Sequence, residues 1–139
     1  MNELNNMKNN GPSCDSEWLR LNGNCYYFSV TKWNWRKSRF LCVTKGSDLA
    51  VINDDMEQRF ISLITFGQCY WIGLSYKEDE GGWSWVDGTD YNTSYKSWNT
   101  SKRNDLGKKE ECAQLSVYGE WNNVQCSYNQ CYAVCEMKQ

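Results

Sequence analysis

The side chains able to do chemistry in this chain are eight cysteines and three runs of neighbouring carboxylates, Asp54-Asp55, Glu78-Asp79-Glu80 and Glu110-Glu111, with no histidine. The absence of histidine removes Ser-His and Cys-His nucleophile pairs, imidazole general bases and every histidine-containing metal site. Adjacent carboxylates suit helix capping and exposed loops better than the two facing acids of an acid–base pair, and none has an evident partner. No catalytic residue is assigned, and the chain reads as a binding protein, not an enzyme.

An even number of cysteines in a chain of 139 residues points to an oxidising compartment and a disulfide framework. Cys126, Cys131 and Cys135 lie close together but lack the short paired spacing of zinc ribbons, so no metal and no cofactor is assigned. Two sequons, at Asn92 and Asn99, agree with secretion and mark glycan acceptors. A net charge of -2 gives no overall basic field. Nucleic acid is therefore disfavoured as a partner, and so is attraction to a membrane by bulk charge, which leaves only local patches. No stretch reaches the ~18 apolar residues that cross a bilayer, so membrane attachment is expected only through an anchor outside this sequence.

The elements that position these residues centre on Tyr70 to Gly88. Tyr70-Trp71-Ile72-Gly73-Leu74 is a nearly continuous apolar run suited to a strand buried on both faces. Trp83-Ser84-Trp85-Val86 alternates after an acidic, glycine-containing connection, and Asp87-Gly88 turns the chain. The tryptophans here are assigned to core packing. Residues 1–13 are rich in asparagine and end before Cys14 in Gly-Pro-Ser, reading as a flexible stalk, with one domain over 14–139. Cys14 to Phe28 reads as a hairpin turning at Asn22-Gly23-Asn24. Trp33 to Thr44 reads as a helix with Thr31 as N-cap and Cys42 facing inward. Leu49 to Ile52 is a buried extended segment, and Asn53-Asp54-Asp55 caps a second helix, Met56 to Ile64, with Phe60, Ile61 and Ile64 on one face. Thr89 to Lys109 is a long polar loop of the kind that carries function or is disordered. Strands follow at Cys112–Val117, Glu120–Cys126 and Tyr132–Glu136, turning at Tyr118-Gly119. Two helices ahead of several short strands indicate an α+β domain.

From Cys14 to Cys135 the chain resembles the C-type lectin-like domain in its long form, which begins with an extra N-terminal cysteine hairpin. The resemblance rests on Cys14, Trp18 and Cys25-Tyr26-Tyr27-Phe28, on Trp35 and Cys42, on Trp71-Ile72-Gly73-Leu74 and on Trp83, Trp85 and Asp87-Gly88. It continues through Cys112, Trp121-Asn122, Cys126 and Cys135. The hairpin and the CYYFS and WIGLS phrases look most like receptors of natural killer and myeloid cells. That implies two helices flanking short antiparallel sheets, a type II membrane protein at the cell surface, and the pairings Cys14–Cys25, Cys42–Cys135 and Cys112–Cys126. Sequence alone admits about a hundred pairings of eight cysteines. Cys69 and Cys131 stand outside the usual framework and are expected to bond to each other, with an intermolecular bond as the rival.

Sugar-binding members of this family hold calcium through a loop triplet, a glutamate shortly before the third framework cysteine and a Trp-Asn-Asp strand. Aligned back from Cys112, the corresponding positions here are Lys102-Arg103-Asn104, Glu110 and Trp121-Asn122-Asn123. Lys102 puts a cation where a carboxylate is expected and Asn123 removes another charge, leaving one certain carboxylate for an ion that wants six to eight oxygens, several of them charged. No calcium is expected there, and Lys102 is read as a solvated loop lysine in preference to a cation filling the site beside Glu110. The resemblance then implies a protein ligand, class I-like or lectin-like, held at the loop face by Trp98, Lys102, Arg103, Asp105, Tyr118 and Glu120. Aromatic and arginine anchors favour this set. Burial beneath the loop is the other reading of Trp98. A homo- or heterodimer is a further implication. A calcium-dependent carbohydrate-binding lectin and a soluble secreted or viral decoy are the alternatives.

Overall fold

The computed structural model describes residues 14–100 and 110–139. The chain enters through a hairpin of β1 (Leu19–Leu21) and β2 (Asn24–Phe28). Asn22 and Gly23 both have positive φ, the geometry that lets a two-residue Asn-Gly turn match the twist of its strands.

Helix α1 (Trp35–Thr44) starts at Asn34, whose side chain accepts from the Lys37 amide at 2.9 Å. Thr31, expected as the cap, instead accepts from the Trp33 indole. Both are capping residue types, and the one adjoining the helix wins. The helix stops at Gly46, whose positive φ lets Gly46 and Ser47 turn their amides back onto Val43 and Cys42. Trp35, Ser38 and Cys42 face inward.

After β3 (Asp48–Leu49) comes helix α2 (Asp55–Thr65), capped by Asp54 through the Glu57 amide at 2.8 Å. Its buried residues are Glu57, Gln58, Ile61 and Thr65, while Ile64 is 38% exposed, against the face expected from apolar spacing. The polar pair is drawn in by hydrogen bonds. Glu57 takes the Tyr26 hydroxyl at 2.6 Å, and Gln58 bonds both the Trp121 indole and the Gly119 carbonyl.

Strand β4 (Tyr70–Lys77) is the spine. It pairs with β5 (Gly82–Trp85), β6 (Glu110–Leu115) and, in parallel, β8 (Tyr132–Met137). Strand β7 (Trp121–Gln125) adds to β6, and the main path of the sheet among the described residues runs β1-β2-β8-β4-β6-β7. Tyr26, Ile61, Ile72, Leu74, Trp85, Leu115 and Trp121 form one core cluster. Trp35, Leu49, Trp71 and five cysteines form another. All four bridges are present within the one chain, Cys14–Cys25, Cys42–Cys135, Cys69–Cys131 and Cys112–Cys126.

Gly73 is where neighbouring backbone crosses the spine. A Cβ there would meet Val86 Cγ2 at 2.7 Å and the Leu49 and Ala50 carbonyl oxygens at 2.8 and 3.1 Å. The Ala50 oxygen is also the acceptor for the Gly73 amide. Gly73→Ala is expected to cost about 2 kcal/mol, because the obstacles are mainly backbone and cannot rotate away. Urea unfolding of the variant is the check, and an unchanged midpoint would count against this packing.

Candidate ligand-binding face

The far end of the sheet is built by the β6–β7 hairpin, whose register pairs Gln114 with Asn122 and Leu115 with Trp121. Its turn is closed by Ser116 N–H to the Glu120 carbonyl at 2.7 Å, and Gly119 packs so closely that a Cβ would lie 2.7 Å from that of Ser62. Trp121 is fully buried, with the rings of Trp85, Trp98 and Tyr95 around it at 5.5, 5.5 and 6.1 Å. Backbone bonds from Asn99 N–H to the Trp121 carbonyl and from Trp121 N–H to the Ser97 carbonyl fasten the loop to β7.

That fastening decides the position of Trp98. Its ring is half-buried between Trp83 and Trp121, and its indole donates to the Tyr91 hydroxyl at 2.8 Å. Burial pushes the Tyr91 phenol above its usual range, so it stays protonated. Trp98 is thus half-buried against the sheet, while Tyr118, 75% exposed, and Glu120 stand out from the turn. Lys102, Arg103, Asn104 and Asp105 lie outside the described residues. Asn92, in a short 3-10 turn capped by Asp90, is exposed as a glycan acceptor would be. Asn99 is half-buried.

Strand alternation separates the remaining calcium positions. Glu110 lies across from Lys77 at the start of β6, four residues from the level of Asn122, or about 13 Å along a strand. Its carboxylate faces α1 and accepts from Arg36 at 3.1 Å. Asn123 projects to the other face and donates to Glu111 Oε1 at 3.1 Å, and Glu111 itself is only 4% exposed. The Asn122 Oδ1 is buried without a hydrogen-bond partner among the described residues. Among the described positions Glu110 is committed to Arg36, Asn123 to Glu111 on the opposite face, and Asn122 keeps one unpartnered buried oxygen, while Lys102 and Asn104 lie outside the described residues. These described positions do not by themselves supply the set of charged oxygens that a calcium ion takes. Among the described residues no group of three or more Cys, Asp or Glu side chains is placed to hold a metal.

Sequence reasoning missed Glu111 as the partner of Asn123. It also missed Phe66, which lies beside Tyr118, their rings being 6.4 Å apart. Glu111 was readable from its place two residues along the strand from Ala113, the register partner of Asn123. Phe66 belongs to a contact made only in three dimensions.

Comparison with known proteins identifies this architecture. The family model for the lectin C-type domain matches residues 31–137. Hepatic lectin of Gallus gallus is 39% identical over 120 residues, covering 86% of this chain and 58% of its own length. The chain thus spans less than two thirds of that curated relative. The solved human scavenger receptor C-type lectin carbohydrate-recognition domain is 34% identical with a TM-score of 0.80, across 91% of this chain and all of that one. A calcium-independent type II antifreeze protein shares the fold at 30% identity and a TM-score of 0.78, over 91% of this chain and 95% of that one. With the family model running across most of its length, the chain belongs to the C-type lectin domain family.

Proposed function

We propose that the chain is the extracellular ligand-binding domain of a type II lectin-like receptor that takes a protein ligand at the turn end of β6–β7 without calcium. The observation that carries this is an exposed apolar cluster assembled from two elements. Phe66 is 67% exposed, Tyr118 75% and Val117 41%, the rings of Phe66 and Tyr118 lie 6.4 Å apart, and the Gly67 amide donates to the Val117 carbonyl at 2.8 Å to hold the two segments together. A contiguous apolar patch with a neighbouring charge, here Glu120, is the usual anatomy of a protein interface, with aromatic side chains as its anchors. Independence from calcium is supported by the shortage of charged oxygens among the described positions and by a relative of the same fold described as calcium-independent.

The natural killer and myeloid grouping rests on the N-terminal hairpin and the CYYFS and WIGLS phrases. A glycan ligand is the second reading, favoured by relatives named as a hepatic lectin and a carbohydrate-recognition domain. Tetramers of the domain applied to cells displaying candidate surface proteins decide between them. Staining is expected to survive a chelator and to fall about tenfold on Tyr118→Ala, with Phe66→Ser acting in the same direction. Staining abolished by chelator, together with chelator-sensitive binding on a glycan array, would replace the protein ligand with a sugar.

A further inference from the structure

Helix α1 carries a surface distinct from the turn end. Trp35, Ser38 and Cys42 face inward, and at about 100° per residue the opposite direction falls on Phe40, which is 69% exposed. Phe40 is thus the crest of the helix, and it borders a hollow on each side. One is a trough of about 410 Å³ shared with Trp33, Lys37, Leu41 and Thr44. The other is a pocket of about 280 Å³ between Arg36, Arg39 and Val43 of the helix and a wall of Ser75, Lys77, Glu110 and the Cys112–Cys126 bridge. Lys77 and Glu110 also line the next hollow along the surface, which Glu78, Asp79 and Glu80 complete.

The two flanks of the crest differ in charge. On the first, Lys37 is exposed with its ammonium 5.7 Å from the Trp33 ring and has no ion-pair partner among the described residues. Trp33 to Thr44 contains no acid, and the Cys126 to Cys131 segment, whose carbonyls at its two ends accept from Trp35 and Trp33, contains no charge. On the second flank, beyond the pocket, Glu78, Asp79 and Glu80 stand exposed in a short 3-10 turn ended by Gly81 at positive φ. None of the three has an ion-pair partner among the described residues, and with Lys77 beside them the group keeps an excess of negative charge. The charges in between are neutralised within the molecule, Arg36 by Glu110 and Arg39 by a two-pronged contact with Asp48. An apolar ridge of Phe40 and the 51% exposed Val43 is therefore bounded by an unpaired cation on one side and unpaired anions on the other.

We infer that this α1 face binds a second copy of the chain. A surface with opposite charges on the two sides of an apolar ridge is complementary to itself under a two-fold rotation about an axis along the ridge, because the rotation lays each flank on the opposite flank of the other copy. The two α1 helices then run side by side in the same direction, Phe40 packs on the partner's Phe40, and Lys37 of each copy meets the acidic turn of the other. An axis across the helix would instead lay acids on acids, so charge selects the parallel arrangement. Because the surface lies on α1, this association is independent of the ligand proposed at the β6–β7 turn.

Sedimentation equilibrium of the chain, with a chelator present so that no ion bridges two copies, tests this. A monomer–dimer equilibrium half-formed at about 0.1 mM is expected, since the apolar contact is small and its charges lie at the rim. Raising the salt from about 0.1 M to about 0.5 M should weaken it about fivefold, and Phe40→Ser about tenfold. Exchange of charge gives the specific result. Lys37→Glu alone, and Asp79→Lys with Glu80→Lys in one chain, should each weaken self-association at least as far as Phe40→Ser does, because like charges then meet across the axis. Mixed together, these two variants should associate as tightly as the parent, since both contacts of the mixed dimer again join opposite charges. All these sites are exposed, so the variants should fold, and far-ultraviolet circular dichroism verifies that. Met56→Ser, which removes an exposed apolar side chain of α2, should change nothing. A parent chain that stays monomeric overturns the inference, as does a dimer untouched by Phe40→Ser. Failure of the two charge variants to restore one another, with the parent dimeric, would place the contact elsewhere on the chain and overturns it as well.

Discussion

Replacing Cys42 and Cys135 together by alanine is expected to cost about 4 kcal/mol with Cys69–Cys131 intact, and about 5 kcal/mol when that second bridge has also been removed. Both cysteines are fully buried and join α1 to β8 across 93 residues. Cys69–Cys131 lies inside that interval and spans 62 residues of it. With the inner bridge closed, the loop that Cys42–Cys135 must close in the unfolded chain is about a third as long, so the entropy it removes is smaller. The two bridges therefore protect the same part of the unfolded ensemble, and their losses should be non-additive. Urea unfolding of the two double variants and the quadruple variant measures this directly. Equal costs in the two backgrounds would show that the outer bridge acts through native packing and not through the unfolded chain. The inner bridge also holds the start of β4 beside the start of β8, where the Tyr132 amide donates to the Cys69 carbonyl at 3.0 Å.

The parts of this fold that could be read in the sequence are those specified by local chemistry. Asn22-Gly23 demands its turn, Asp54 announces α2, and Tyr70 to Leu74 has no polar face to offer water. The Cys69–Cys131 bond was accessible because two cysteines remained after the family pairings. What escaped was set by contacts between distant segments. Spacing alone put Ile64 inside α2, but Glu57 and Gln58 take the inward positions because Tyr26, Trp121 and Gly119 offer them hydrogen-bond partners from elsewhere in the chain. Glu110 and Asn122 belong to one family pattern, yet pairing in β6–β7 puts them at different levels, and Arg36 from α1 claims the glutamate. The contact of Phe66 with Tyr118 joins segments about fifty residues apart, and no period in either segment announces it. The stacking of Trp98 on Trp83 and Trp121, which leaves its ring half-buried, likewise depends on segments distant in the chain.

Stability should fall as the pH rises from about 5 to about 8, and Glu136 is the reason. This carboxylate is 4% exposed on β8, and burial, followed by the nearby charge of Glu57, pushes its pKa from the usual range up to about 7. It accepts from the Val51 amide and the Asn24 side chain, both at 3.0 Å, and more weakly from the Tyr26 hydroxyl at 3.3 Å. The same hydroxyl donates to Glu57 at 2.6 Å, and burial holds Tyr26 in its protonated form throughout. A group that binds its proton more tightly in the folded state contributes stability that is complete below the unfolded pKa of 4.5 and is lost as the pH passes through the folded value near 7. The difference across that window is about 3 kcal/mol. Asp87, whose pKa is lowered, works in the opposite sense only at lower pH, so it does not mask the effect. Glu136→Gln keeps an acceptor for Val51 and cannot ionise. It should be more stable than the parent at pH 8, match it near pH 5 and lose the slope between them. Urea unfolding at the two pH values in metal-free buffer is the measurement, and a slope that persists in Glu136→Gln would move the titration to another group.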